Sequence, residues 1–208
     1  MFDQGPHVVL RRDGVCLVLK TPEGEMPQVE YWGGDFGITS DESALNQLDA
    51  MTLKVTPPQE KPDAALRPSL LPQGAEAFAG RPGLEAYRGG KPVFVRWASV
   101  TVSPIAAGGE TEANALNVVA EDAANAVKLE LKLSIKKGGL VLVEQTVTNI
   151  DATDNPDAAA LTVNWLESTL PMPRRADTLT QFTGRWPLEK QPRTAVMPSG
   201  SVTRECRH

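Results

Sequence analysis

The residues best equipped for chemistry are few, and their spacing suits little of it. The chain has two histidines, His7 and His208, one near each end. A Ser-His-Asp or Cys-His relay needs an internal histidine, so nucleophilic catalysis of that kind is not expected. The two cysteines, Cys16 and Cys206, also stand at opposite ends, and no Cys/His spacing suits zinc. No phosphate-cradling glycine loop precedes a helix. No cofactor and no metal are therefore expected. Acids number 26, but no spacing selects a pair for acid–base work. Glu121-Asp122, and Asp154 with Asp157, read as turn residues.

The tryptophans carry more information. There are four, at positions 32, 97, 165 and 186. Trp97 and Trp165 alternate with apolar neighbours and read as core. Trp32 and Trp186 adjoin glycines (Gly33 and Gly34; Gly184) at the ends of strand-like runs. An indole face exposed there suits the apolar C–H face of a pyranose, whose rim is polar. Capping the end of the core is the alternative role.

The element best defined by pattern is the hairpin from Val127 to Ile150. Val127, Leu129, Leu131, Leu133 and Ile135 alternate with polar residues, the period of a half-buried strand. Lys137-Gly138-Gly139 supplies a turn, and the continuous apolar run Leu140–Val143 predicts a return strand packed on both faces at its start. Asp13-Gly14 between two apolar runs predicts a second hairpin. Pro27–Tyr31, Leu53–Thr56, Val93–Val102, Leu116–Glu121, Ala159–Leu170, Leu179–Trp186 and Ser201–Glu205 read as further strands. One helix is expected over Thr39–Met51, with Thr39 and Glu42 as a capping box and Ala44, Leu45, Leu48 and Met51 on one face. Between Pro57 and Pro92 proline and glycine recur, yet Leu70, Leu71, Phe78, Leu84 and Tyr87 are scattered among them. That composition predicts a long ordered loop packed on the sheets.

These elements predict an all-β fold, a large two-sheet sandwich with one short helix. At 208 residues the chain can bury roughly 70% of its unfolded surface and needs no disulfide or metal to fold. The net charge of −5, without a basic cluster, argues against nucleic acid or an anionic membrane as partner. No run spans a bilayer and no signal peptide is visible. With only two cysteines, a reducing cytosol is the expected setting.

Several segments, in order, resemble the N-terminal domain of glycoside hydrolase family 36 α-galactosidases of the actinobacterial type. They are Pro27-Gln28-Val29-Glu30-Tyr31-Trp32-Gly33, Ser69-Leu70-Leu71-Pro72, Gly80-Arg81-Pro82-Gly83-Leu84, Leu170-Pro171-Met172-Pro173, and Phe182-Thr183-Gly184-Arg185-Trp186 with Glu189. Gly200 and Arg204-Glu205 close the match. The resemblance implies a β-supersandwich like that of galactose mutarotase, a single N-terminal domain over residues 1–208. In the family this domain precedes a TIM barrel that carries both catalytic aspartates, and a small C-terminal β domain. No catalytic residue is therefore expected here, and residues 1–208 alone are expected to be inactive. The full-length enzyme would hydrolyse terminal α-galactosyl residues with retention, through two carboxylates. The resemblance further implies a homo-oligomer, α-galactosides bound at a site the barrel completes, and an aspartate of this domain touching galactose. By position that aspartate falls on Asp49. Trp32 and Trp186 are carried over as candidate substrate contacts, and Arg185 as an interdomain contact that stacks and donates a fork of hydrogen bonds. A free-standing carbohydrate-binding sandwich is the alternative reading. A mutarotase-like enzyme would need an internal histidine.

Overall fold

The computed structural model describes residues 7–52, 69–76, 78, 80–106, 113–151, 160–172, 176–197 and 202. The chain falls into two compact units, Met1–Pro171 and Met172–His208. In order, the first unit contains β1 (His7–Arg12), β2 (Val15–Lys20), β3 (Gln28–Gly34), α1 (Glu42–Thr52), β4 (Leu84–Arg88) and β5 (Lys91–Val93). It continues with β6 (Ser99–Ala106), β7 (Ala113–Asp122), β8 (Val127–Ile135), β9 (Val141–Asn149) and β10 (Leu161–Leu166). The second unit holds β11 (Thr178–Arg185) and β12 (Leu188–Val196).

Three antiparallel sheets close one core in the first unit: β1-β2-β3, β10-β4-β5 and β6-β7-β8-β9. Leu10, Leu17 and Leu19 enter it from the first sheet, Leu84 and Ala86 from the second, and Leu116, Leu129, Leu131 and Leu133 from the third. The alternation in β8 is the cause on its side, because every second residue points inward. Asp13 and Gly14 both take positive φ, 48° and 77°, the conformation of a tight two-residue hairpin turn. The two hairpins meet where the Asp13 carboxylate accepts the Gly138 N–H at 2.6 Å.

Four details differ from the sequence expectation. Leu140 is 65% exposed and Leu142 also faces outward, because β9 is the last strand of its sheet and only Val141, Val143 and Val147 reach the core. The proline- and glycine-rich stretch contains β4 and β5, joined at Gly89-Gly90, where both residues take positive φ. Trp97 is buried, but on an irregular link between β5 and β6. Finally, α1 starts at Glu42, and Asp41 caps it by accepting the Ala44 N–H at 3.3 Å, so Thr39 is not the cap. Leu45 is buried while Met51, at the far end, is exposed. The expected strand at Leu53–Thr56 lies outside the described residues, as does most of Ser201–Glu205.

Pro192 hides β12 from a sequence reading. The Met197 N–H donates to Asp177 O, and by alternation the Phe182–Pro192 pair is a non-hydrogen-bonded one. Pro192 therefore turns its missing donor to the open edge, where it costs no ladder bond.

Candidate functional site at the end of β3

Helix α1 lies on the face of the β1–β3 sheet opposite the main core. Its apolar contact is small: Ile38 and Leu45 pack with Cys16 and Val18, flanked by Val9, Tyr31, Ala44 and Leu48. Ion pairs stand around that contact. Lys20 meets Asp49 at 2.9 Å, Arg11 meets Asp35 at 3.6 Å, and His7 meets Glu42 at 3.0 Å.

The chain between β3 and α1 is tightly built. The Tyr31 hydroxyl donates to Gly34 O at 2.7 Å, curling over Gly33. A Cβ at Gly33 would lie 2.7 Å from that hydroxyl, so the glycine makes room for the phenol. The Asp35 N–H donates to Gly14 O at 2.8 Å, and its carboxylate accepts the Gly37 N–H at 2.9 Å. The Phe36 ring packs edge-on against Tyr31 with centroids 4.7 Å apart, yet 53% of Phe36 stays exposed. The result is a fixed acid, partly solvent-facing, beside an exposed aromatic ring. Such a pairing can accept hydrogen bonds from hydroxyls while stacking on an apolar face.

The residues singled out from the sequence are distributed differently. Trp32 pairs with Leu17 on the core face of the sheet and is only partly exposed. Asp49 is 14% exposed at its side chain and bonded to Lys20, so it faces the sheet. Trp186, at the tip of the β11–β12 ribbon in the second unit, is 86% exposed, and Arg185 beside it is also exposed. Nothing in the sequence marks Asp35 and Phe36 as a pair, because no spacing separates a turn acid from a site acid. The only hint is the turn-like setting of Phe36 between Asp35 and Gly37; its exposure is visible only in the structure.

Three of the family-like segments, around Gln28, Ser69–Pro72 and Gly80–Leu84, are tied together by backbone bonds. Ser69 bridges Gln28, and the Leu70 N–H donates to Pro27 O at 2.8 Å. Gly83 donates to Pro72 O, Glu167 to Gly83 O, and Thr169 to Leu70 O, all within 2.7–2.8 Å. A Cβ at Gly83 would stand 2.9 Å from the Glu167 carbonyl. Arg81 forks onto Glu85 at 2.9 Å through both Nε and Nη2 and lies 3.6 Å over the Trp165 ring. Side-chain hydrogen bonding from Arg81 is the main cause that holds the Glu85 carboxyl below its usual range. A polar cavity of about 260 Å³ lies elsewhere, lined by Arg88, Lys91, Asn125 and Asp151. Its guanidinium is already committed to Asp151, Asn149 and the Asn125 carbonyl.

Among the described residues the fold is an all-β sandwich with one α-helix, and an aromatic–acid turn stands at the end of β3. Residues 25–208 match the model of the glycosyl hydrolase family 36 N-terminal domain, and the chain belongs to that family. It is similar to an α-galactosidase of Escherichia coli, 30% identical over 127 residues, which is 60% of this chain and 16% of that relative. Among solved structures it is similar to the GH36 α-galactosidase AgaB of Geobacillus stearothermophilus, with TM-score 0.65, 14% identity and 96% of this chain covered. A substituted AgaA from the same organism, in complex with raffinose, gives TM-score 0.64 at 15% identity over 93% of this chain. The chain spans 28% of each of those two structures, and the likeness there is one of fold.

Proposed function

We propose that this chain is the non-catalytic N-terminal domain of an α-galactosidase that hydrolyses terminal α-galactosyl residues with retention. The family match over residues 25–208 carries the reading. The raffinose bound to a relative of the same fold supports a galactoside as substrate class. Within the domain, the turn after β3 is the part suited to a substrate-site wall: Asp35 to accept sugar hydroxyls, Phe36 to stack, and Trp32 to hold the turn against the core. Asp49 holds α1 in place. Arg185 and Trp186 serve as contacts to a neighbouring domain or subunit, in keeping with their exposure. The assembled enzyme is a cytoplasmic homo-oligomer whose barrel supplies both carboxylates.

The test is hydrolysis of a chromogenic α-galactoside by residues 1–208 and by the longest product of the same reading frame. Activity in the longer product and none in residues 1–208 is the expected result. Activity in residues 1–208 alone would refute the accessory role.

A further inference from the structure

We infer that the cavity beside the β4–β5 hairpin is a second binding site, for a monosaccharide-sized ligand that carries one oxyanion, a carboxylate or a phosphate, among its hydroxyls. The cavity measures about 260 Å³, and Arg88, Lys91, Val93, Asn125, Ala126 and Asp151 stand in its wall. The Lys91 ammonium holds the oxyanion, while Asp151 and the Asn125 carboxamide oxygen accept from hydroxyls. None of these residues belongs to the turn after β3, so the inference stands apart from the galactoside reading of that turn.

The hairpin sets two cations opposite each other. Gly89 and Gly90, at φ 54° and 76°, turn β4 back onto β5, and Arg88 becomes the cross-strand partner of Lys91. Like charges in directly opposite positions repel. Asp151 answers only one of them. Its carboxylate accepts from Arg88 Nη1 at 3.1 Å, with the two side chains 18% and 17% exposed. Lys91 is exposed and forms no ion pair among the described residues. Two cations therefore share the wall with one carboxylate, and the cavity favours one further negative charge.

The rest of the wall is polar and held in place. Arg88 Nη2 donates to Asn149 Oδ1 and to Asn125 O, both at 3.0 Å, which ties β4 to the β7–β8 turn and to the end of β9. The Ile150 N–H donates to Ala126 O at 2.9 Å and closes the same turn. The Asn125 amide nitrogen donates to Phe94 O at 3.1 Å and to the Asp122 carboxylate at 2.6 Å. Two acceptors fix the orientation of that amide, so Oδ1 is its remaining group and can only accept. A bare oxyanion would meet Asp151 and Asn125 Oδ1 as repulsive neighbours. A neutral sugar would leave Lys91 without its counter-charge. A ligand with one charged end and several hydroxyls satisfies both. The volume is just below the roughly 300–1,000 Å³ of sites for drug-sized ligands, so one sugar ring is the size it takes.

Amide chemical-shift titration of the chain tests the site with four probes: galacturonate, galactose 6-phosphate, neutral galactose and inorganic phosphate. At least one of the two sugar acids should shift the Lys91, Val93, Asn125 and Ala126 amides saturably, with a Kd of about 1 mM, the strength of a few polar contacts. Galactose and inorganic phosphate should each bind at least about tenfold more weakly, since each lacks half of the match. Saturation by only one of the sugar acids supports the site and identifies its oxyanion. Lys91→Gln, at an exposed position that does not threaten the fold, should weaken binding of the acid about tenfold, and added salt should weaken it in the wild type. The site is overturned by the absence of a saturable shift from either acid at about twenty times that Kd. It is equally overturned by galactose or inorganic phosphate binding as tightly as the acids, or by wild-type affinity in Lys91→Gln. Hydrolysis of the α-galactoside is read separately, so failure of this site and failure of the accessory role are distinct results.

Discussion

Lys20 and Asp49 form an ion pair at 2.9 Å between the last residue of β2 and the last turn of α1, with both side chains 14% exposed. A carboxylate committed in this way holds the helix to the sheet. Asp49→Asn is expected to destabilise the first unit by about 1–3 kcal/mol, the range for a partly buried hydrogen bond to a charged group. Urea denaturation measures it, with Lys20→Met as the partner variant for a double-mutant cycle. Unchanged stability with a raised KM in the longer enzyme would instead assign Asp49 to the sugar.

Phe36 should behave in the opposite way. More than half of its surface is in water, and its partner Tyr31 keeps the bond to Gly34 without it. Phe36→Ala is therefore expected to cost less than about 1 kcal/mol of stability, since little apolar area returns to water. In the longer enzyme it should raise KM for an α-galactoside several-fold. Asp35→Asn should do the same, and it should also loosen the turn by weakening the bonds to Gly37 and Arg11. Kinetics and thermal melting of both variants decide it; wild-type KM in each would remove the β3 turn from the substrate wall.

The first arm of the central hairpin was legible from sequence because burial along most of β8 follows a period of two. Leu131 is 1% exposed and belongs to the main core cluster. Leu131→Lys is expected to unfold the first unit, since it places an unpaired charge among leucines; an intact cooperative melt would contradict the assignment of faces. Other parts of the fold were hidden for reasons of equal simplicity. Gly89-Gly90 reads as loop composition, yet it closes the β4–β5 hairpin. Pro192 lacks the N–H a strand ordinarily needs, yet it sits where β12 needs no donor. The candidate site was less legible than the fold. Position along the chain pointed to Asp49, but only three-dimensional pairing shows that Lys20 occupies it while Asp35 stands beside an exposed ring.

Gly184 tests the ribbon that presents Arg185 and Trp186. It is the unpaired residue between the Thr183–Gln191 and Arg185–Leu188 pairs. A Cβ there would press on the Leu188 carbonyl and lie 2.8 Å from Glu189 Cα, both backbone and unable to swing aside. Gly184→Ala is expected to open the ribbon tip at a cost of about 1–3 kcal/mol, as for other strained backbone positions. Hydrogen exchange should report faster β11 and β12 amides with the β7–β8 pair unchanged. Unaltered exchange in the ribbon would show that the tip repacks around a methyl group.

Asp122 sets an acid limit on the first unit. Burial alone would raise its pKa, but donors outweigh that: the Arg96 N–H at 2.8 Å, the Asn125 side-chain amide at 2.6 Å, and the backbone N–H groups of Asn125 and Ala124. The carboxyl is held below its ordinary value of 3.8. The unfolded chain therefore takes up this proton first as pH falls. The stabilisation is fully present above the ordinary carboxylate value and is lost as pH drops through the lowered folded one. Asp122→Asn removes the charge these donors face and is expected to cost about 1–3 kcal/mol at neutral pH. The gap between wild type and variant should narrow steadily on acidification below about pH 4. Urea midpoints of both proteins from neutral pH downward measure it, and a gap independent of pH would mean that the donors are satisfied as well by an amide as by a carboxylate.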